Sequence, residues 1–310
     1  MTQNVCAVLV THNRARLLRE AMAAIAAQSR PPDSLIVVDN ASSDETDRIL
    51  ATELHAPIVL HFDENHGSSG GYHAGIRHAC RLGCDWVWTL DDDTIARPDT
   101  LANLLAAADS FPARRVPSVV ASKVIWTDGS LHPMNVPKPK LYDPEAQLLA
   151  ASCGTMSIRF SSFVSMLIRA DAIGRHGLPV AGYFMWNDDV EFSARILRDE
   201  FGVVAPASVV CHKTAAPHQP GSDASGKYFY EVRNKTWLMR HSPAFDRAEK
   251  WWMARSLARR TWGYLRRNRF NRVATLAVAR GLWSGLTTRP RLEIEEPSLS
   301  LAPSVAAIAA

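Results

Sequence analysis

The chain has 310 residues, 47% hydrophobic and 21% charged, with a formal net charge of +4. This is globular composition with length for a large core, and it excludes a disordered or fibrous chain. Five scattered cysteines, Cys6, Cys80, Cys84, Cys153 and Cys211, lack zinc-ligand spacing and read as reduced, mostly buried thiols of a cytosolic compartment.

The N-terminal MTQNVCAVLVTHNR runs directly into an apolar strand pattern without a basic n-region or cleavage site, so no signal peptide is expected. No apolar run reaches the roughly 18 residues of a membrane span. Strands are predicted at 5–10, 35–39, 58–62 and 86–90, alternating with helices at 14–28, from Ser42 through Leu54, from Gly70 to Leu82, and from Pro98 onward. Ser42 and Glu45 have capping-box spacing, and Pro98 is a favoured first-turn residue. Such alternation predicts a mostly parallel sheet covered by helices. Further strands are predicted at 118–126, 163–169 and 202–212, with a Pro-rich loop at 127–147 and a helix at 188–200. KTAAPHQPGSDASG (213–226) reads as a mobile loop, helices follow at Tyr228–His241 and from 247, and SLSLAPSVAAIAA reads as disordered.

Polar residues close each early strand. Thr11-His12-Asn13-Arg14 follows the first, Asp39-Asn40 the second, Asp63-Glu64-Asn65 with GSSGG (67–71) the third, and Asp91-Asp92-Asp93 the fourth. In an open parallel sheet these ends share one rim, and ligands bind in the crevice outside it. Glycines between a strand and a helix, here including Gly70 and Gly71, let backbone N–H groups approach a phosphate, although the G-x-G of a dinucleotide fingerprint is absent. The three aspartates repel one another until a cation neutralises them. Carboxylates are hard oxygen ligands suited to Mg²⁺ or Mn²⁺, which commonly bridge protein to a diphosphate.

Residues 251–291 contain ten arginines and no acid, so the remaining chain carries 25 bases against 31 acids. In WWMARSLARRTWGYLRRNRF, Trp and Arg are interleaved, which suits a peripheral membrane interface with anionic lipid. A helical hairpin packed on the body or on another subunit is the alternative. Nucleic acid is excluded as a partner by the acidic body and the lack of a binding module.

VLVTHNRARLLREAMAAIAAQSRPPDSLIVVDNASSDET followed by TLDDD resembles the family 2 glycosyltransferases, inverting enzymes of GT-A fold that use nucleotide-diphosphate sugars. ENHGSSGGYHAGI (64–76), YFMWNDDVEFSARI (183–196) and VVCHKTA (209–215) make the chain similar to the galactofuranosyltransferases of actinobacterial cell-wall galactan, with rhamnosyltransferases as close competitors. The resemblance implies a GT-A domain over 1–225; a basic helical region over 226–292, associated with membrane or acceptor, and a disordered tail over 293–310 complete the predicted division. It implies that Thr11, Asn13, Arg14, Asp39 and Asn65 surround the uridine, with Gly70, Gly71, Asp91 and Asp92 also on the nucleotide. Asp91, Asp93 and His212 would ligate Mn²⁺ or Mg²⁺, Asp189 would be the catalytic base, and Trp186 and Asp188 would shape the acceptor pocket. The Trp of this motif stands one place further from the paired acids than in the galactan polymerase, with Asn187 between.

The implied partners are a UDP-sugar donor and a polyprenyl-diphosphate-linked glycan acceptor, at the cytoplasmic face of the membrane, with a homo-oligomer allowed. A sugar nucleotidyltransferase is the competing class, but it wants a Gly-rich loop after the first strand, where this chain has Thr-His-Asn-Arg. A non-catalytic scaffold is disfavoured by the intact Asp91, Asp93, Asp189 and His212.

Overall fold

The first apolar run, Val5–Thr11, forms β1 with every residue buried. In the computed structural model, which describes residues 3–52, 57–216 and 226–301, β1 is the axis of the N-terminal half. It pairs in parallel with β2 (Ser34–Asp39) on one side and β4 (Trp86–Asp91) on the other, and β2 carries β3 (Ile58–His61). The crossovers are α1 (Ala15–Ala26), α2 (Thr46–Thr52) and α3 (Gly67–Arg81). Because both faces are covered, the strands need no polar side. Val5, Ala7 and Leu9 enter one apolar cluster, and Cys6, Val8 and Val10 enter the other.

The second half inserts antiparallel strands. After β5 (Thr94–Ala96) and α4 (Thr100–Asp109) comes β6 (Val119–Ile125), then β7 (Lys138–Pro139), α5 (Pro144–Ser152), β8 (Met156–Phe160) and β9 (Met166–Arg169). α6 (Ala170–His176), α7 (Asp188–Asp199) and β10 (Gly202–His212) follow. β9 lies antiparallel between β4 and β6, and β10 runs parallel to β6. β10 slips register between Ala205 and Val209, around Pro206, whose missing N–H makes it a bulge residue. Beyond that bulge β10 pairs antiparallel with β5, setting His212 opposite Thr94.

α8 (Tyr228–His241), α9 (Arg247–Arg267) and α10 (Arg272–Thr287) finish the helical part. α10 packs closely on α8 because Gly281 and Gly285 face it. A Cβ on Gly281 would lie 2.7 Å from Phe229 O, and one on Gly285 2.6 Å from Thr236 Cβ. This packing of α10 on α8 is of the kind given above as the alternative to a membrane interface, while Trp251, Trp252, Trp262 and Trp283 remain exposed.

Several expectations are corrected. α2 starts at Thr46, where Asp44 Oδ1 accepts the Thr46 N–H, and the Ser42 hydroxyl instead accepts from Asn13 N–H. The predicted helix end at Leu54 lies outside the described residues, as does 217–225 of the predicted mobile loop. α4 starts two residues after Pro98, with Gln28 Oε1 accepting the Leu101 N–H. The Pro-rich stretch 127–147 contains β7 and the start of α5, which Asp143 caps by accepting from Ala146 N–H. Of the tail expected to be disordered, Ser298–Leu301 forms β11 and pairs antiparallel with β3; residues 302–310 lie outside the described residues.

Candidate active site

The carboxyl ends of β1 and β4 deliver the acid cluster. Thr11 Oγ1 donates to Asp92 Oδ2 at 2.9 Å, and Arg14, just before α1, bridges Asp92 (3.1 Å) and Asp93 (2.6 Å) with one nitrogen. Tyr72, from the first turns of α3, donates its hydroxyl to Asp91 Oδ1 at 2.5 Å. The β10–β5 register carries His212 to the same place. Its Nε2 lies 3.0 Å from Asp93 Oδ1 and 3.9 Å from Asp91 Oδ2.

The other His212 nitrogen, Nδ1, is 2.9 Å from Asn135 Oδ1. With the amide oxygen on that side, Nδ1 is the donor to Asn135, which leaves Nε2 facing the two carboxylates as the ring nitrogen a cation would take. In keeping with this, Asp93 Oδ1 is buried yet has no partner of hydrogen-bond geometry. An orphaned buried carboxylate oxygen, a second carboxylate and an imidazole nitrogen within 4.8 Å of one another fit a divalent cation with oxygen and nitrogen ligands.

Burial dominates the electrostatics. It pushes Asp92 up to about 7 despite Arg14, and raises Asp91, with Asp93 adding repulsion. Burial also works to raise Asp93, but His212 and Arg14 outweigh it and hold that carboxylate below the usual range. It works to lower His212, and Asp93 reverses this.

The paired acids Asp188 and Asp189 open α7. They line the same cleft of ≈ 480 Å³ as the Asp91–Asp93 cluster, His212 and Trp186. That volume suits a small-molecule ligand. Burial lifts Asp188 to about 6 and lifts Asp189 well above the ordinary carboxylate range, with Asp188 as the second cause.

The turn before them is strained. Phe184, Trp186 and Asn187 all have positive φ, +68°, +63° and +68°. Such residues cost about 1–3 kcal/mol each and persist only where the surroundings over-determine them. Here Phe184 O accepts from Ser69 N–H, so the first turn of α3 touches the turn directly. Gly67 is required at that contact, because a Cβ would stand 1.9 Å from Phe184 O. Asn187 occupies the N-cap position of α7 without capping it; its side chain donates to Glu231 Oε2 at 2.9 Å.

The structure thus gathers Thr11, Arg14, Asn65, Asp91, Asp92, Asp93, Trp186, Asp188, Asp189 and His212 around one cleft. Four expected residues stand outside its lining. Asp39 is buried, accepting from Ser42 N–H and facing His61, and the Asn13 carboxamide accepts from Ser43 N–H. Gly71 lets α3 pack on β1, since a Cβ would lie 2.4 Å from Val10 Cγ1, whereas a Cβ on Gly70 would lie 2.5 Å from Cβ of His66, at the start of the same helix. Tyr72, Asn40 and Asn135 line the cleft without having been singled out. Asn40, which holds Gly67 O through Nδ2 and His66 N–H through Oδ1, could have been found beside Asp39.

A mixed α/β sheet with a mostly parallel core and acids on its carboxyl rim is the GT-A fold of nucleotide-sugar glycosyltransferases. The structure is similar to S. aureus TarS 1-349 in complex with UDP-GlcNAc, with a TM-score of 0.61 at 15% identity over 93% of this chain and 82% of that one. It is also similar to TarS 1-349 in complex with UDP, with a TM-score of 0.57 at 14% identity over 96% of both chains. The chain belongs to Glycosyl transferase family 2, whose sequence profile matches residues 6–167. Among curated relatives it is 30% identical over 266 residues to galactofuranosyltransferase GlfT1 of Mycolicibacterium smegmatis, covering 77% of this chain and 83% of the relative. It is 23% identical over 286 residues to the N-acetylglucosaminyl-diphospho-decaprenol L-rhamnosyltransferase of Mycobacterium tuberculosis, covering 82% and 88%.

Proposed function

We propose that this family 2 glycosyltransferase moves galactofuranose, with inversion, from UDP-galactofuranose to a polyprenyl-diphosphate-linked glycan. The observation that carries the reading is that the Asp91–Asp93–His212 cluster and the Asp188–Asp189 pair face one cleft. Inverting transfer needs the leaving diphosphate and the attacking hydroxyl on opposite sides of the sugar. The GlfT1 relative supports the donor, and the UDP-sugar in TarS supports a nucleotide-sugar site.

Asp91, Asp93 and His212 are the residues that would hold Mn²⁺ or Mg²⁺, which supplies Lewis-acid stabilisation of the departing diphosphate. Arg14, fixed between Asp92 and Asp93, places a permanent positive charge on the same side. Asp189 accepts the proton of the acceptor hydroxyl; its raised basicity suits a general base near neutral pH. Trp186 and Asp188 border the acceptor. Asn65 and the neighbouring Gly67 lie where the nucleotide enters.

Residues 1–225 would form the catalytic domain and 226–292 the acceptor-side extension. Exposed Trp251, Trp252, Trp262 and Trp283 beside arginines support a peripheral site on anionic lipid at the cytoplasmic face. Among the described residues no helix is long and apolar enough to cross a membrane. A dTDP-rhamnose donor is the second reading, supported by the rhamnosyltransferase relative.

The test is Asp189→Asn, assayed with UDP-galactofuranose and dTDP-rhamnose on a synthetic lipid-linked acceptor. Transfer should fall about 10²–10⁴-fold, while UDP affinity measured with Mn²⁺ stays within about twofold. Joint loss of both would remove Asp189 as the base, and transfer from dTDP-rhamnose alone would replace the donor.

A further inference from the structure

We infer that Asn234, on α8, is a positioning residue for transfer: it holds the strained turn 183–187 and thereby sets where Asp188 and Asp189 stand. This inference rests on the proposed role of Asp189.

Asn234 is fully buried, and its Nδ2 donates to three successive bends of that turn, Tyr183 O at 3.0 Å, Met185 O at 2.7 Å and Trp186 O at 2.9 Å. The two N–H groups of the carboxamide are thus shared among three carbonyls. The amide is itself oriented, since Arg233 Nε donates to Asn234 Oδ1 at 2.9 Å while Arg233 Nη2 reaches Tyr183 O at 2.7 Å. Arg233 in turn lies 4.1 Å over the Trp237 ring, which fixes its plane. Three residues before Asn234, and so on the same helical face, Glu231 accepts from Asn187 Nδ2 at 2.9 Å and is itself paired with Lys235.

Three non-glycine residues with positive φ do not persist unaided. The carbonyls that Asn234 binds alternate with those φ values, so the carboxamide selects this backbone path over relaxed ones. None of these α8 side chains is a residue of the acid cluster, and Asn234 does not line the cleft. Its effect on transfer runs through the turn, which leads into Asp188 and Asp189 and carries none of the Asp91, Asp93 and His212 cluster.

The test compares full-length Asn234→Ala and Asn234→Ser with the parent protein. Amide hydrogen exchange should accelerate at least tenfold across 184–190 and stay unchanged across β1 and β4. In the transfer assay kcat should fall about 30-fold or more, while KM for UDP-galactofuranose and the affinity for UDP with Mn²⁺ stay within about twofold. The serine variant, which keeps one donor, should lie between alanine and parent, and it serves alone if the alanine protein does not fold. Unchanged exchange at 184–190 would overturn the clamp. Faster exchange with parental kcat would overturn its role in positioning, as would equal losses of kcat and UDP affinity. If Asp189→Asn retains transfer, the proposed base fails first; if that variant is dead and Asn234→Ala is parental, this inference alone fails.

Discussion

Asn135 and His212 form a buried pair in which the carboxamide oxygen, 2.9 Å from Nδ1, decides which imidazole nitrogen faces Asp93. Asn135 is anchored through Nδ2, which donates to Ser162 Oγ at 3.0 Å. Outer partners of this kind typically contribute 10–100-fold in metal affinity. Asn135→Leu should therefore weaken Mn²⁺ binding by that order, read by titration calorimetry on the free protein. Parental Mn²⁺ affinity would show that the pair does not orient a ligand.

The acid limb of the rate profile should lie above the ordinary carboxylate range. Burial raises both Asp188 and Asp189, the first to about 6, and a base works only when deprotonated. Activity thus rises with pH through an apparent pKa near or above 6 that belongs to the pair. Asp188→Asn removes one like charge from beside Asp189 and should move the limb to lower pH by about one unit. A kcat profile flat between pH 5 and 8 would count against this assignment.

Gly67→Ala combines two faults, a backbone φ of +71° and a Cβ 1.9 Å from Phe184 O. The turn and the first turn of α3 must separate, at a cost of about 2–4 kcal/mol by analogy with other strained or overpacked sites. Urea melts should show that loss together with a drop in transfer. Equal melts would mean the contact relaxes freely.

Trp251, Trp252, Trp262 and Trp283 should govern lipid attachment. Replacing Trp262 and Trp283 by Ala should reduce co-sedimentation with vesicles of 30% anionic phospholipid at least fivefold, leaving binding of soluble UDP unchanged. Equal sedimentation would assign these rings to a protein partner.

Much of the parallel half was legible because runs such as Val5–Thr11 and Trp86–Asp91 are continuous apolar strands between turn residues. β10 was read at its observed limits despite Pro206, since the bulge absorbs the proline without ending the strand. α5 was hidden by the surrounding prolines, although Asp143 before Pro144 is a helix start. Asp91, Asp92 and Asp93 are legible as a strand end, whereas Asp188 and Asp189, at a helix start, are singled out only by the family resemblance. At Gly71 the missing side chain makes room for Val10 of β1, a role that sequence alone does not distinguish from backbone approach to a phosphate. The strained turn was illegible in principle: Phe, Trp and Asn at positive φ depend on Asn234, 47 or more residues away along the chain.

The last described strand has a consequence for handling the protein. β11 lies against β3, the outermost of the parallel strands, and the segment leading to it touches Gly182, whose N–H donates to Arg291 O. Truncation after Thr288 would uncover a row of hydrogen-bonding groups along β3, a template for pairing between molecules. Shortened versions made for crystallisation should consequently self-associate, with scattering that grows with concentration, unless a charged substitution blunts the bared margin.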